Sequence, residues 1–284
     1  MRHIHHPGPA APERTVAVPG SAVPLRFVLE PGRTVDEAVA EGMKVSGCVG
    51  GFVAFRGGRC EPFRYVMPAA SSDPRYVAWY SETFEPAGSV NVTRACAMVG
   101  VRDGKPFLHC HGIWDTGEGS RAGHMLAPLT VVAEPIPVDG IGFRDATFEA
   151  IPDPETNFTL FEPVRADGNA DAPGARMLLA KVRPNQDIST AIEAICSQHG
   201  ITAANVHGIG SLNEVRFTDG TYVKSHATEV LIRKGSVESS GGRPRARLDI
   251  DVVDIGGKIS SGELVHGDNP VCVTFELVIE PAGR

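Results

Sequence analysis

Pro31 and Pro184 stand 153 residues apart, and the same offset sets Val35 against Ile188, Ala38 against Ala191, Gly47 against Gly200 and Gly57 against Gly210. Each proline follows a short apolar run, Leu25–Leu29 or Met177–Val182, and precedes a helix signal. Thr34 and Glu37 form a capping box before Val35, Ala38, Val39 and Met43, while Asp187 caps Ile188, Ala191, Ile192, Ile195 and Cys196. Gly47 and Gly200 stop the two helices. Further on, at an offset of about 140, the turn Gly104-Lys105-Pro106 answers to Gly242-Arg243-Pro244, Leu108 to Leu248 and Gly123 to Gly262. The first copy therefore carries the longer insertion. Matching element order and turn chemistry make the chain a duplication of one module. The expected layout is a flexible tail or extended arm over 1–22, a first domain over 23–163, a linker over 164–175 and a second domain over 176–284.

Three of the ten histidines fall between Leu108 and Leu126. The pattern there is strand, Gly-rich turn, strand. Alternation places His109 and His111 on one face and Cys110 on the other. A turn near Gly117 and Glu118 sets His124 across the ladder from His111, close enough for three imidazoles to converge. That is the ligand count of a catalytic zinc site with an open fourth position. The competing reading is solvated polar residues on a half-exposed strand. Asp115 and Glu118 lie near enough to orient a histidine.

Residues 57–88 form a long irregular stretch that holds Arg64, Tyr65, Arg75, Tyr76, Trp79 and Tyr80. Such stretches are functional or disordered, and the aromatics argue against disorder. Arg64, Tyr65 and Trp79 are the expected contacts for a small polar or anionic ligand, joined from the second copy by Lys224 and His226. A cover over a sheet edge is the alternative. In the second copy Asp249 and Asp251 stand where His109 and His111 do, and Glu263 about where His124 does. Hard carboxylate oxygens there would suit magnesium or calcium better than zinc, but the expectation is that this copy has lost the site and that these are solvated strand residues.

The formal charge of −7 disfavours phosphate backbones, so nucleic acid is an unexpected partner. No apolar run approaches the ~20 residues that span a bilayer. Six cysteines without Cys-x-x-Cys spacing fit reduced thiols and a cytoplasmic location.

The runs Glu229–Val237, Arg247–Ile250 and Ser261–Leu264 resemble the PPC (plants and prokaryotes conserved) domain. Leu108-His109 with Gly123-His124-Met125-Leu126 is similar to that family's paired-histidine and Gly-Gly-His-Leu motifs, with Ala122 in place of the first glycine. The resemblance covers 25 to about 140 and about 175 to 280, and implies an α/β (α+β) architecture of two tandem modules, each a mixed, mainly antiparallel sheet of about seven strands with helices packed on it, and assembly into homo-oligomers, trimers above all. Members are often labelled DNA-binding through a basic hook. Here only Gly241-Gly242-Arg243-Pro244-Arg245 is hook-like, and the duplication makes it a hairpin turn. The resulting expectation is a divalent metal, zinc foremost, on His109, His111 and His124 beside a ligand pocket. The alternative is a DNA-associated regulatory or scaffold protein without catalysis. No nucleophile and base pair is recognisable, so the residues do not decide whether the chain is an enzyme.

Overall fold

The computed structural model describes residues 2–166 and 174–282. The first half runs β1 (Thr15–Leu29), α1 (Val35–Val45), β2 (Gly50–Phe55), β3 (Arg59–Cys60), β4 (Tyr65–Val66), β5 (Pro68–Ala69), β6 (Trp79–Tyr80), β7 (Val90–Arg102), β8 (Lys105–Thr116), β9 (Gly119–Met125), β10 (Ile136–Phe143), β11 (Ala146–Pro152) and β12 (Thr159–Arg165). The second runs β13 (Ala175–Val182), α2 (Ile188–Gln198), β14 (Ala204–Leu212), β15 (Val215–Arg216), β16 (Tyr222–Val223), β17 (Thr228–Ser240), β18 (Arg243–Asp254), β19 (Ile259–Glu263) and β20 (Val271–Pro281). Both helices start at the caps the sequence signals. The Glu37 carboxylate accepts from the Thr34 N–H at 3.1 Å, and Asp187 accepts from the Thr190 N–H at 2.8 Å. Both stop before a glycine at positive φ, Gly47 and Gly200.

The duplication is visible in the sheet order. Outward from the β1–β13 joint, one wing reads β1, β10, β2, β7, β8, β9 and the other β13, β20, β14, β17, β18, β19. The succession is the same, element for element. It is an α+β fold dominated by antiparallel sheet. The joint is antiparallel, from Thr15 opposite Val182 to Ala22 opposite Ala175. Strand β1 serves both wings, because its later residues Ala22–Leu29 pair with β10.

Of the flexible tail or extended arm expected over 1–22, the structure describes an extended, anchored segment from residue 2 onward. Residues from Thr15 onward are strand, and the segment before them is anchored. Arg2 reaches Asp268 at 3.1 Å, Arg14 reaches Glu155 at 2.7 Å, and buried His6 donates through Nε2 to the Cys272 carbonyl at 2.8 Å. Pro19 hid the strand, because a proline argues against a central ladder position. It is tolerated where β1 pairs with β13 and has not yet begun to pair with β10. Of the expected linker, Val164 and Arg165 end β12, Ala175 opens β13, and 167–173 lie outside the described residues.

Each half has its own core, and a third cluster joins them. Phe52, Met98, Phe143 and Phe148 of the first half pack with Leu179, Ile209, Leu231 and Val278 of the second. The wings therefore face one another across an apolar seam, and polar bonds cross it too. The Arg94 Nε meets Asp251 at 2.5 Å, and the His111 ring reaches the Val230 carbonyl at 2.9 Å. All six cysteines are free and buried. Among the described residues no helix is long and apolar enough to cross a membrane.

Candidate metal centre and its cavity

The β8–β9 hairpin has the register that the turn position implies, with His111 directly opposite His124. Alternation sends Cys110 into the core of the first half and turns His109 and His111 toward the second. The three rings lie 4.6, 5.1 and 5.5 Å apart between centroids, and one nitrogen from each falls within 4.8 Å of the others.

Hydrogen bonds set the orientation of two rings. A carbonyl can only accept, so His111 donates through Nδ1 to Val230. The His109 Nδ1 faces the Glu276 carboxylate at 2.7 Å. Both Nε2 atoms then turn inward, 2.9 Å apart, and the Glu229 carboxylate lies 2.6 Å from the His111 Nε2. Lone pairs this close need a proton or a cation between them. Burial opposes the charged form of His109, but the carboxylates of Glu276 and Glu229 outweigh it and raise its pKa. His124 goes the other way: burial, then the two neighbouring imidazoles, hold it well below the ordinary value. Its Nδ1 is buried without a partner.

That orphaned atom and the donor set fit a divalent ion. Zinc binds imidazole nitrogen at about 2.0–2.1 Å in a tetrahedral site, which sets ligating nitrogens about 3.3–3.4 Å apart, so side-chain rotation has to close the widest separation, within 4.8 Å here, by up to about 1.4 Å. His109, His111 and His124 supply three nitrogens and Glu229 an oxygen.

Glu229 and Glu276 were missed by sequence reasoning, which looked to Lys224 and His226 for the second half's contribution. A signal existed for one. Glu276 interrupts the otherwise almost wholly apolar run Val271–Ile279, is 1% exposed, and is held by the Thr274 hydroxyl at 3.0 Å. Burial pushes its pKa up, but His109, Lys181 and Thr274 together pull it below the usual value.

The acids of the second copy are differently employed. Asp251 is buried, not solvated as expected, and takes Arg94 at 2.5 Å, Arg233 at 3.6 Å and Ser261 at 2.5 Å. Asp249 takes Arg233 at 2.5 Å, and Glu263 is exposed opposite Asp249. Arg94 pairs with Ile113 and Glu229 with Val253, equivalent ladder positions. The counterpart of His111 with Glu229 is thus Asp251 with Arg94. A guanidinium already neutralises the carboxylate there. The hook-like segment is the tight β17–β18 turn, with Gly241 and Gly242 both at positive φ.

A cavity of about 450 Å³ opens beside the histidines, bounded at that end by His109, His124, Glu229 and Glu276. Trp79 lines it, but the other expected ligand contacts do not. Arg64 is bound to Glu85 at 2.8 Å, and Tyr65 is 2% exposed within a cluster of Phe63, Phe84 and Trp114. Lys224 is exposed, and His226 offers only its carbonyl, to the Cys272 thiol at 3.2 Å. Tyr65 aligns with the core because β4 pairs with β9, which turns this side chain inward.

Gly123 is what allows that pairing. A Cβ there would meet the Val66 carbonyl oxygen at 2.3 Å. Gly123→Ala is expected to push β4 off β9 and cost about 1–3 kcal/mol, as overpacking does. Thermal unfolding of the variant checks this, and a wild-type transition would show that β4 yields freely.

The family model of the Plants and Prokaryotes Conserved (PCC) domain matches residues 170–282. No curated protein matches the chain. Among solved structures, it is similar to a metal-containing protein of Archaeoglobus fulgidus (16% identity, 52% of this chain and 98% of that one, TM-score 0.42). It is also similar to a plant- and prokaryote-conserved (PPC) protein of Pyrococcus horikoshii (16%, 53% and 97%, TM-score 0.40). A hypothetical protein of Salmonella cholerae-suis shares 27% identity over 39% of this chain and 80% of that one, with a TM-score of 0.33. Residues 170–282 thus match the Plants and Prokaryotes Conserved domain, the family that the second-half motifs resemble.

Proposed function

We propose that the chain binds one divalent metal ion, zinc foremost, on His109, His111 and His124, at the seam between its two halves, and presents it to a small organic ligand in the adjoining cavity. The observation that carries this reading is the convergence of three ring nitrogens within 4.8 Å, with the His124 Nδ1 buried and unpartnered. Glu276 and the Val230 carbonyl hold two of the rings by their outer nitrogens, the usual way a ligating histidine is oriented. Glu229 stands ready as a fourth ligand or as an acceptor for a bound water. A bound ion would supply Lewis acidity or lower the pKa of a water molecule. The DNA-associated reading draws no support from the hairpin turn, where Arg245 is taken up by His266 at 2.8 Å.

Elemental analysis of the untagged full chain tests the proposal. About one ion per chain is expected, lost in His109→Ala and in His124→Ala and kept in His199→Ala. Full occupancy in both of the first two variants, or none in the wild type, would overturn it.

A further inference from the structure

The cavity is much larger and less polar than a metal ion and a water require. A volume of about 450 Å³ lies within the roughly 300–1,000 Å³ range of pockets that enclose whole organic ligands. Besides its histidines and glutamates the lining is largely apolar and includes Phe107, Leu126, Phe158, Leu160, Phe161 and Val273. Trp79 and Leu129, each 45% exposed, carry the apolar lining out to solvent.

Part of that lining comes from the stretch between β2 and β7, whose counterpart between β14 and β17 is shorter. Trp79 and Tyr80 belong to the long stretch between β2 and β7, and Ala150, Leu160 and Phe161 to the β11–β12 hairpin. These segments build an apolar sleeve over the histidines.

Charge narrows the head group. With a divalent ion in place, Glu229 and Glu276 balance it, and Lys181 is paired with Glu162 at 2.9 Å. Among the lining residues Arg102 is the one Lys or Arg; it is exposed and stacks over Phe107 at 5.5 Å. Nothing there matches a phosphate dianion. We infer, on the basis of the proposed metal centre, that the ligand is an elongated aliphatic or aromatic molecule with a single neutral or singly charged oxygen head, of the acyl or aryl acid class. Its head meets the ion and its body fills the sleeve. The sequence suggested a small polar or anionic ligand; a molecule of this class keeps such a head group and adds an apolar body.

Straight-chain hydroxamic acids from two to eight carbons, titrated calorimetrically into the metal-loaded full chain, test the inference. Affinity is expected to rise about fourfold per methylene, the equivalent of the ~0.8 kcal/mol that burying one CH2 contributes. Octylphosphonate is expected to bind more weakly than octanohydroxamic acid. Ala150→Trp or Leu160→Trp is expected to abolish the gain for the longer members, with the melting transition and metal content checking the fold. A loaded chain that binds short and long members equally would overturn the sleeve, and tighter binding of the phosphonate would overturn the head group. A chain without metal would sink the reading of the centre and the head group together.

Discussion

Lys181→Met is expected to destabilise the metal-free chain by about 3–5 kcal/mol, the usual result of removing one partner from a buried ion pair. Lys181 is 1% exposed on β13, directly across the ladder from Glu276. Its ammonium donates to Glu162 at 2.9 Å, and Glu162 also takes Arg183 at 3.1 Å, which holds Asp153 at 3.1 Å. Methionine fills a similar volume, so the expected loss comes from charge. It strands two carboxylates: Glu162 keeps only Arg183, and Glu276 loses one of the groups that keep it ionised. Urea unfolding measures the effect, with an unchanged slope showing that the denatured state is not altered. A loss below about 1 kcal/mol would mean that the remaining cations satisfy both carboxylates without help, contrary to the burial argument.

Much of the local structure was legible because it rests on short-range chemistry. Caps at Thr34 and Asp187 and stops at Gly47 and Gly200 mark both helices, since backbone groups at helix ends must be satisfied nearby. The His111–His124 register followed from turn position and a period of two. What stayed hidden is long-range. Periodicity shows that one face of β8 is distinct, but not that β17 and β20 of the other copy lie over it. Glu229 and Glu276 were therefore invisible as partners, and Asp251 read as solvated when Arg94 covers it from the opposite wing. Tyr65 and Trp79 look alike in sequence, yet pairing of β4 with β9 buries one, and the β5–β6 pair leaves the other at the cavity mouth.

Glu276→Gln is expected to weaken metal binding about 10–100-fold near neutral pH, the scale of losses when a ligand's supporting carboxylate is removed. The glutamine oxygen can still accept from the His109 Nδ1, so the ring keeps its direction and loses only the negative charge that makes Nε2 more basic. The same charge raises the pKa of His109, and this fixes how the effect changes with pH. In the metal-free chain His109 holds a proton to above its ordinary 6.5, and an ion must displace it. Wild-type affinity therefore falls about tenfold per pH unit below that raised value, one proton being lost per ion bound. In the variant the proton leaves at lower pH, so its affinity stays flat longer and the two curves converge on acidification. Parallel curves would show that Glu276 does not govern His109 protonation. Stability of the metal-free chain carries the opposite signature. The raised His109 contributes below 6.5 and is lost as pH rises through its folded value; the lowered Glu276 contributes above 4.5 and is lost as pH falls through its own. The pair therefore stabilises the metal-free chain most between 4.5 and 6.5, a window in which metal affinity is already falling with each pH unit. Proton and ion compete for one carboxylate-backed imidazole. Unfolding of metal-free wild type and Glu276→Gln across that window should differ most inside it and least above it.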